Sequence, residues 1–290
     1  MQFTVDQILS LLYTNFLVVG PPKTGKTQST TTLRKLKSRP WVQGKKLYYY
    51  DFDEGMQPVI RIAVRDKWAD EIVPFRYAQV GGDRISRDAI PQRSPERFTD
   101  FLSDINRLYD HVTSDGKRWK DDFIDQAPYA IVVDSLTVIQ FDILNFTLSL
   151  RHKELGDEKV HGGAEYGFQM GKIVETIRSI KKLPCFSVWL AHEQTKMGTV
   201  KMPTPPPRGN PINPVTTGII SKLPVVTGTL AETIGGEFGA VLFTKIEPVT
   251  STTAKYLWET RPNGEIRSAG SRLKENLDAL IPQDFNLVVD

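Results

Sequence analysis

The chain has 290 residues, of which 40% are hydrophobic and 24% are charged, and its formal net charge at pH 7 is +3. This length supports a sizeable core, while the small charge excludes a histone-like polycation, so any contact with nucleic acid must be local. The single cysteine, Cys185, excludes an intramolecular disulfide, and its apolar surroundings favour a buried, reduced thiol.

The N-terminal stretch carries Asp6 and lacks a basic start, so it predicts no secretion signal. No apolar run approaches the ~18 residues that a membrane-spanning helix needs. We therefore expect a soluble protein of the cytoplasm with no membrane partner.

A phosphate-binding motif follows the first apolar run. Phe16 to Val19 predicts a short buried strand, and the next residues, GPPKTGKT, satisfy G-x-x-x-x-G-K-[ST] at every fixed position. Glycines permit the tight curl that turns backbone N–H groups inward toward an anion. Lys26 would reach the β- and γ-phosphates and Thr27 would ligate Mg²⁺. We expect Lys26 to be largely exposed in the empty site. The predicted nucleotide contacts are Gly20, Pro21, Pro22, Lys23, Thr24, Gly25, Lys26, Thr27 and Gln28.

Strand-like and helix-like segments alternate along the rest of the chain. The predicted strands are 46–53, 73–80, 129–135, 185–194 and a late pair, 240–247 and 255–262. The predicted helices are 94–112 and 165–183, the first with Ser94 as N-cap and Pro95 at its first position. This alternation predicts an α/β fold with a mostly parallel sheet, flanked by helices, and a late antiparallel hairpin.

We expect one domain over residues 1–290. Within it the sequence suggests an N-terminal segment at 1–14, a long mobile loop at 195–238 and a C-terminal tail at 262–290.

Polar groups end several of the predicted strands, and ligands of parallel sheets bind beyond those ends. Asp134 ends the run IVVD and is placed like a Walker B acid, which holds Mg²⁺ usually through water. Glu54 follows YYYDFD and is our candidate for the carboxylate that polarises the attacking water, with Asp53 as the second choice. A solvated acidic turn is the plain alternative.

The run WLAHEQ places His192, Glu193 and Gln194 at a fourth strand end. A polar group there can sense the γ-phosphate, and we assign that role to Gln194. The alternative is a hydrogen-bonded histidine beside an exposed acid. A metal site from His192 and Glu193 is disfavoured because adjacent strand residues point to opposite faces.

An acid-free segment follows this strand. From Gln194 to Ala231 there is no Asp or Glu, and prolines are frequent. Positive charge without aromatic residues favours contact with a phosphate backbone over base stacking, and a plain disordered loop is the alternative. The candidate nucleic-acid contacts are Lys196, Lys201, Arg208 and Lys222.

The order of GPPKTGKT, YYYDFDEG, IVVDSLT and LAHEQ resembles the RecA-type ATPase core. It is similar to the RecA and RadA recombinases, and more closely to phage-encoded, AAA-annotated RecA-like nucleotide-binding proteins, some of which anneal single strands. The tail RPNGEIRSAGSRL resembles their basic tail, whereas PPK replaces the more usual small residues of the loop.

The resemblance implies ATP and Mg²⁺ at Lys26, Thr27 and Asp134, Glu54 as base, and Gln194 linking the γ-phosphate to the loop. It also implies a ring or filament with ATP at the subunit interface, and the location would be the host cytoplasm if the gene is phage-encoded. An interface site needs a basic residue in trans, for which the candidates are Arg261, Arg267 and Arg272.

Two functions from different classes remain open. The first is a DNA-recombination or replication ATPase that binds single-stranded DNA, whose turnover DNA could stimulate, and that promotes annealing or strand exchange. The second is an ATP-driven assembly or loading factor that acts on a protein such as a helicase or a single-strand-binding protein. A small-molecule kinase is disfavoured because the sequence has no arginine-dense lid segment.

Overall fold

The computed structural model describes residues 14–38, 45–77, 95–151, 164–201, 215–250, 253–263, 266, 269–271 and 277–289. Ten strands are described: β1 Asn15–Gly20, β2 Lys46–Asp51, β3 Ile72–Arg76, β4 Pro128–Asp134, β5 Phe186–Lys201, β6 Val215–Pro224, β7 Ala240–Pro248, β8 Ala254–Glu259, β9 Gly270–Ser271 and β10 Leu280–Pro282.

Seven α-helices are described: α1 Lys26–Ser29, α2 Gln57–Arg65, α3 Glu96–Asp110, α4 Leu136–Leu150, α5 Ala164–Lys181, α6 Leu230–Thr233 and α7 Phe285–Val289. The short α1 continues directly into a 3-10 helix, Thr30–Ser38.

One continuous sheet organises these elements, in the order β10-β8-β7-β1-β5-β4-β2-β3. The strands from β7 to β3 in that order are parallel, whereas β8, β9 and β10 run antiparallel to their neighbours. The predicted α/β fold, with a mostly parallel sheet and a late antiparallel pair, is confirmed.

Helices cover both faces of the sheet, so the side chains on both faces of β1 are buried. Its Leu17 and Val19 pack into the core on the side of α3, α4 and α5, while Phe16 and Val18 pack on the side of α2 and α7. All four side chains are fully buried. A strand buried on both faces reads as an uninterrupted apolar run, which is why β1 is recognisable in the sequence.

Most predicted elements shift by only one or two residues. The strand predicted at 73–80 is Ile72–Arg76, with 78–80 outside the described residues. The helix predicted at 94–112 begins at Glu96, and its N-cap is Pro95. The placement of Pro95 at the first helical position is therefore wrong by one residue, and Ser94 lies outside the described residues.

The loop predicted at 195–238 is wrong for the residues that the structure describes. Strand β5 continues to Lys201, and β6 returns beside it, so that residues 193–201 and 215–224 form an antiparallel two-stranded ribbon. The stretches TKMGTV and VTTGII are rich in β-branched residues, which favour strands. The proline cluster that suggested a loop belongs to 202–214, outside the described residues. The helix α6 and a 3-10 helix, Ile234–Glu237, complete the segment.

The C-terminal tail predicted at 262–290 is also wrong for its described part. Strands β9 and β10 join the sheet, and Phe285 and Val288 of α7 are fully buried. Phe285 packs against Phe16 of β1 at a ring-centroid distance of 5.0 Å and against Trp258 of β8 at 4.7 Å.

Within the described residues, no helix is both long enough and apolar enough to cross a membrane.

The burial of Phe285 yields a stability prediction. Replacing a buried phenylalanine by alanine removes apolar contacts and leaves a cavity, so Phe285→Ala should lower the free energy of unfolding by about 3–5 kcal/mol. Urea unfolding followed by circular dichroism measures the change. The neighbouring Leu287→Ala is the control, because 38% of Leu287 is exposed. Equal effects of the two substitutions would contradict the docking of α7.

Candidate functional site

The phosphate loop leaves the carboxyl end of β1 at the centre of the sheet. Gly25 has the left-handed φ of 86° that the curl requires. At Gly20 a Cβ atom would lie 1.6 Å from the Thr244 hydroxyl, so only glycine fits there. That hydroxyl donates to Thr24 Oγ1 at 2.7 Å, and Thr24 donates to the Pro21 carbonyl at 2.8 Å. The loop is thus braced by strand β7.

The structure corrects the expectation that Lys26 is exposed. Its relative exposure is 7%, and its ammonium donates to the carbonyls of Gly20 and Pro21, each at 2.7 Å. Burial lowers the pKa of Lys26, and the carboxylates of Asp134, Asp53 and Glu193 oppose that shift. The lysine is therefore folded back on its own loop and faces several acids.

Asp134 lies at the end of β4, 3% exposed, beside the start of α1. The hydroxyl groups of Thr27 and Tyr49 both donate to its Oδ2, at 2.9 and 2.7 Å. Burial raises the pKa of Asp134 to about 6, although the two hydroxyl donors favour its ionised form. The predicted pair Thr27 and Asp134 is thus brought together, and Tyr49 is a partner that sequence reasoning missed.

The segment after β2 that carries Asp53 and Glu54, called the acidic turn below, lies against Asp134. The backbone N–H groups of Phe52 and Asp53 donate to the Asp134 carbonyl at 2.6 and 3.0 Å. Asp51 accepts hydrogen bonds from the N–H groups of Gly55 and Met56 at 2.9 and 3.2 Å. Asp51 is therefore structural.

Glu54 is exposed and has a φ of 55°, a conformation that is uncommon for a residue with a side chain. It lines a cavity of about 360 Å³ together with Asp51, Gln57, Arg76 and Tyr77. Backbone strain of this kind concentrates at functional sites. Asp53, the second choice, faces His192 instead, with 3.1 Å between Asp53 Oδ2 and His192 Nε2.

The cradle between these groups fits a hydrated magnesium ion. A Cβ atom on Gly55 would lie 3.5 Å from Asp134 Oδ2 and 3.8 Å from Thr27 Oγ1, so the turn approaches both oxygens without a side chain between them. A hydroxyl and a buried carboxylate, completed by phosphate oxygens and water, make the oxygen-rich surroundings that Mg²⁺ prefers.

Gln194 lies past the sheet, at the base of the ribbon. Its amide donates to the Pro224 carbonyl on the opposite ribbon strand at 3.2 Å. His192 is the β5 residue in register with Gly20 of the phosphate loop. The structure therefore brings His192, rather than Gln194, into contact with the acidic turn.

The four candidate nucleic-acid residues have different surroundings. Lys196 forms an ion pair with Glu232 of α6 at 2.5 Å, so the acid that ends the acid-free segment neutralises its first lysine. Lys222 is half-buried and lies opposite Thr195 in the ribbon. Lys201 ends β5, and Arg208 lies outside the described residues.

Among the candidate trans-acting residues, Arg261 is exposed just after β8. Arg267 and Arg272 lie outside the described residues.

A cavity of about 300 Å³ beside the phosphate loop was missed by sequence reasoning. Its lining includes Gly25, Gln28, Thr31, Tyr256 and Gln283. The Gln283 amide donates to the carbonyls of Thr24 and Leu257 at 3.0 and 3.1 Å, so the residue that follows β10 supports the phosphate loop. No local sequence signal marks Tyr256 and Gln283, since their approach to the loop depends on the antiparallel extension of the sheet.

Comparisons with known proteins give structural likeness only. No protein-family model matches the sequence, and no curated protein matches it. A solved structure of the RadB recombinase aligns with a TM-score of 0.39 and 15% identity, covering 87% of this chain and 84% of that one. A KaiC-like protein from Pyrococcus horikoshii OT3 aligns with a TM-score of 0.39 and 10% identity, covering 84% and 76%. At this similarity only the geometry of the site carries the functional inference.

The raised pKa of Asp134 predicts that its ionised carboxylate lowers the stability of the nucleotide-free protein at neutral pH. Asp134→Asn keeps an oxygen for Thr27 and Tyr49 and removes a buried charge, so it should raise the free energy of unfolding at about pH 7 by roughly 2–3 kcal/mol. Because the wild-type carboxyl becomes protonated in acid, this gain should shrink as the pH falls through about 6 toward about 4.

Urea unfolding in the presence of a chelator measures this effect, with the exposed Asp122→Asn as control. An Asp134→Asn protein that is less stable than wild type at neutral pH would contradict the cost assigned to the buried charge.

Proposed function

We propose that this protein is a Mg²⁺-dependent ATPase of the RecA-like type. One observation carries the proposal: the phosphate-loop hydroxyl of Thr27 donates to the buried Asp134 carboxylate at 2.9 Å, beside the buried ammonium of Lys26. A buried carboxylate at a strand end, in contact with the hydroxyl that follows a phosphate-loop lysine, is the arrangement that holds a metal–nucleotide pair.

Bound Mg²⁺ would neutralise charge on the β- and γ-phosphates, and Thr27 and Asp134 are the residues that would hold it. Lys26 would leave the carbonyls of Gly20 and Pro21 and turn to the phosphates. Burial lowers the pKa of the Lys26 ammonium, and the phosphate anions would raise that pKa again.

Glu54 would orient the attacking water and accept its proton. Its backbone lies next to Gly55, which borders both Thr27 Oγ1 and Asp134 Oδ2. The exposed carboxylate is free to approach a terminal phosphate from the side of the 360 Å³ cavity. Proximity of an oriented carboxylate to water is the main requirement for such a base.

The cavity lined by Tyr256 and Gln283 would take the base and ribose. It adjoins Gln28, the last of the predicted nucleotide contacts, and 46% of Tyr256 is exposed. An exposed aromatic ring gives a planar base a stacking surface.

We further propose a role in phage DNA recombination or replication, in which the protein binds single-stranded DNA, promotes annealing or strand exchange and assembles into a ring or filament. The support is the ribbon and the sequence beyond it, which contain no acid from Gln194 to Ala231. One ribbon strand is the continuation of β5, which carries His192 beside the phosphate loop, so the ribbon and the proposed nucleotide site share a strand.

One observation favours an assembly or loading factor as the second candidate. Met197 and Ile219 form a cross-strand pair on the ribbon, and they are 58% and 36% exposed. Exposed apolar side chains beside a neutralised lysine suit a protein partner, such as a helicase or a single-strand-binding protein, better than a phosphate backbone.

Turnover of ATP with and without single-stranded DNA tests the enzymatic part. Glu54→Gln should bind ATP like wild type and slow hydrolysis by about 10²–10⁴-fold, because the general base is lost. Asp53→Asn should retain most activity, since Asp53 is engaged with His192. The matched control is Glu175→Gln, an exposed acid on α5. If Asp53→Asn is the slow variant, the base is assigned to the wrong acid.

The salt dependence of DNA binding tests the ribbon. Each lost phosphate contact should lower the slope of log affinity against log salt by about 0.7. Replacing Lys196, Lys201 and Arg208 together by alanine should therefore flatten it by about 2 if all three touch phosphate, which requires Lys196 to exchange Glu232 for the DNA. The control replaces three exposed cations elsewhere, Arg61, Lys117 and Arg118. An unchanged slope at saturating ATP analogue would favour the protein-partner function.

A further inference from the structure

The backbone around Glu54 is held by contacts from three directions. The Asp134 carbonyl accepts hydrogen bonds from the N–H groups of Phe52 and Asp53, and the Asp51 carboxylate accepts that of Gly55. The remaining contact is to the Phe52 carbonyl, which accepts a hydrogen bond of 3.1 Å from the guanidinium of Arg97. Arg97 belongs to the first turn of α3, far from the acidic turn in sequence.

Arg97 is buried, which is unusual for an arginine unless its charge is paired. It is 5% exposed, and its Cζ lies 5.7 Å from the centroid of the Phe52 ring. Its Nε lies 3.8 Å from Oδ2 of Asp142, a fully buried residue in the middle of α4. The Phe52 ring is held in turn by Tyr77, stacked at 4.7 Å, and by Phe101, edge-on at 5.3 Å.

Stability alone gives a weak reason for such a pair. Burying two charges costs desolvation energy, and apolar residues of similar volume often serve a core as well or better. The left-handed backbone of Glu54 persists only where its surroundings fix it. The contact that Arg97 makes with the Phe52 carbonyl lies two residues before Glu54.

We propose that Arg97, held by Asp142, is a positioning residue for the acidic turn that carries Glu54. This inference rests on the proposed ATPase function. Arg97 does not touch the reacting groups: it fixes the Phe52 carbonyl, and through it the direction in which the Glu54 carboxylate leaves the turn. A change in the packing of α3 against α4 would then move the Arg97 guanidinium and, with it, the turn that carries Glu54.

The test removes both charges of the pair together, so that neither is left without the other. The double variant Arg97→Met/Asp142→Leu should fold and bind ATP with an unchanged KM. Its kcat should fall by about 10²-fold, the cost of misplacing a catalytic group by about 1 Å. Arg97→Lys should recover part of kcat, because an ammonium can still donate to the Phe52 carbonyl. Arg107→Met is the matched control: it lies on the same helix, and its side chain is 71% exposed.

Amide hydrogen exchange of the nucleotide-free proteins gives a readout that does not depend on activity. In the double variant a peptide covering residues 52–56 should exchange about tenfold faster, whereas a peptide covering β1 should not change. If the double variant fails to fold, the same comparison is made between wild type and Arg97→Lys, in which residues 52–56 should exchange measurably faster.

The two readouts separate the possible failures. Unchanged exchange at 52–56 overturns the positioning role, whatever happens to kcat. Faster exchange with wild-type kcat also overturns it, because the turn would then be loosened without effect on the base. If wild type does not hydrolyse ATP at all, the proposed function fails, and exchange alone decides whether Arg97 fixes the turn.

Discussion

The site depends on Asp134, which holds its neighbours with both its side chain and its main chain. Its carboxylate accepts the hydroxyls of Thr27 and Tyr49, and its carbonyl accepts the N–H groups of Phe52 and Asp53. A single residue at the end of β4 thereby joins the phosphate loop, β2 and the acidic turn. The cost is a carboxyl group whose pKa is raised to about 6 by burial. The Mg²⁺ that we propose for this site would balance such a charge.

The same strand ends connect this centre to the ribbon. The His192 N–H donates to the Thr137 hydroxyl of α4 at 2.9 Å, and its ring lies 3.1 Å from Asp53. The His192 carbonyl accepts the N–H of Val225, the residue that follows β6, at 2.8 Å. Three contacts on one residue thus link the helix after Asp134, the acidic turn and the base of the ribbon.

Secondary-structure elements could be predicted from the sequence where a local residue pattern marks them. The strands β1, β4 and β5 are apolar runs buried on both faces, so their positions and their polar ends were predictable. The ribbon was missed because the prolines of 202–214 outweighed the β-branched residues on either side. The C-terminal elements were missed because a two-residue strand such as β9 and a five-residue helix such as α7 carry too little periodicity to be recognised.

The sequence by itself determined the α/β class, the phosphate-loop pattern and the two residues that we propose to hold magnesium, Thr27 and Asp134. Each of these depends on a short pattern with a fixed backbone requirement. Only the tertiary structure decided which groups surround them. It folded Lys26 back onto its own loop, paired Lys196 with Glu232, and brought Tyr49, Gln283 and Arg97 to the site. Those contacts join residues distant along the chain, and they follow from the order of the strands, which no local pattern specifies.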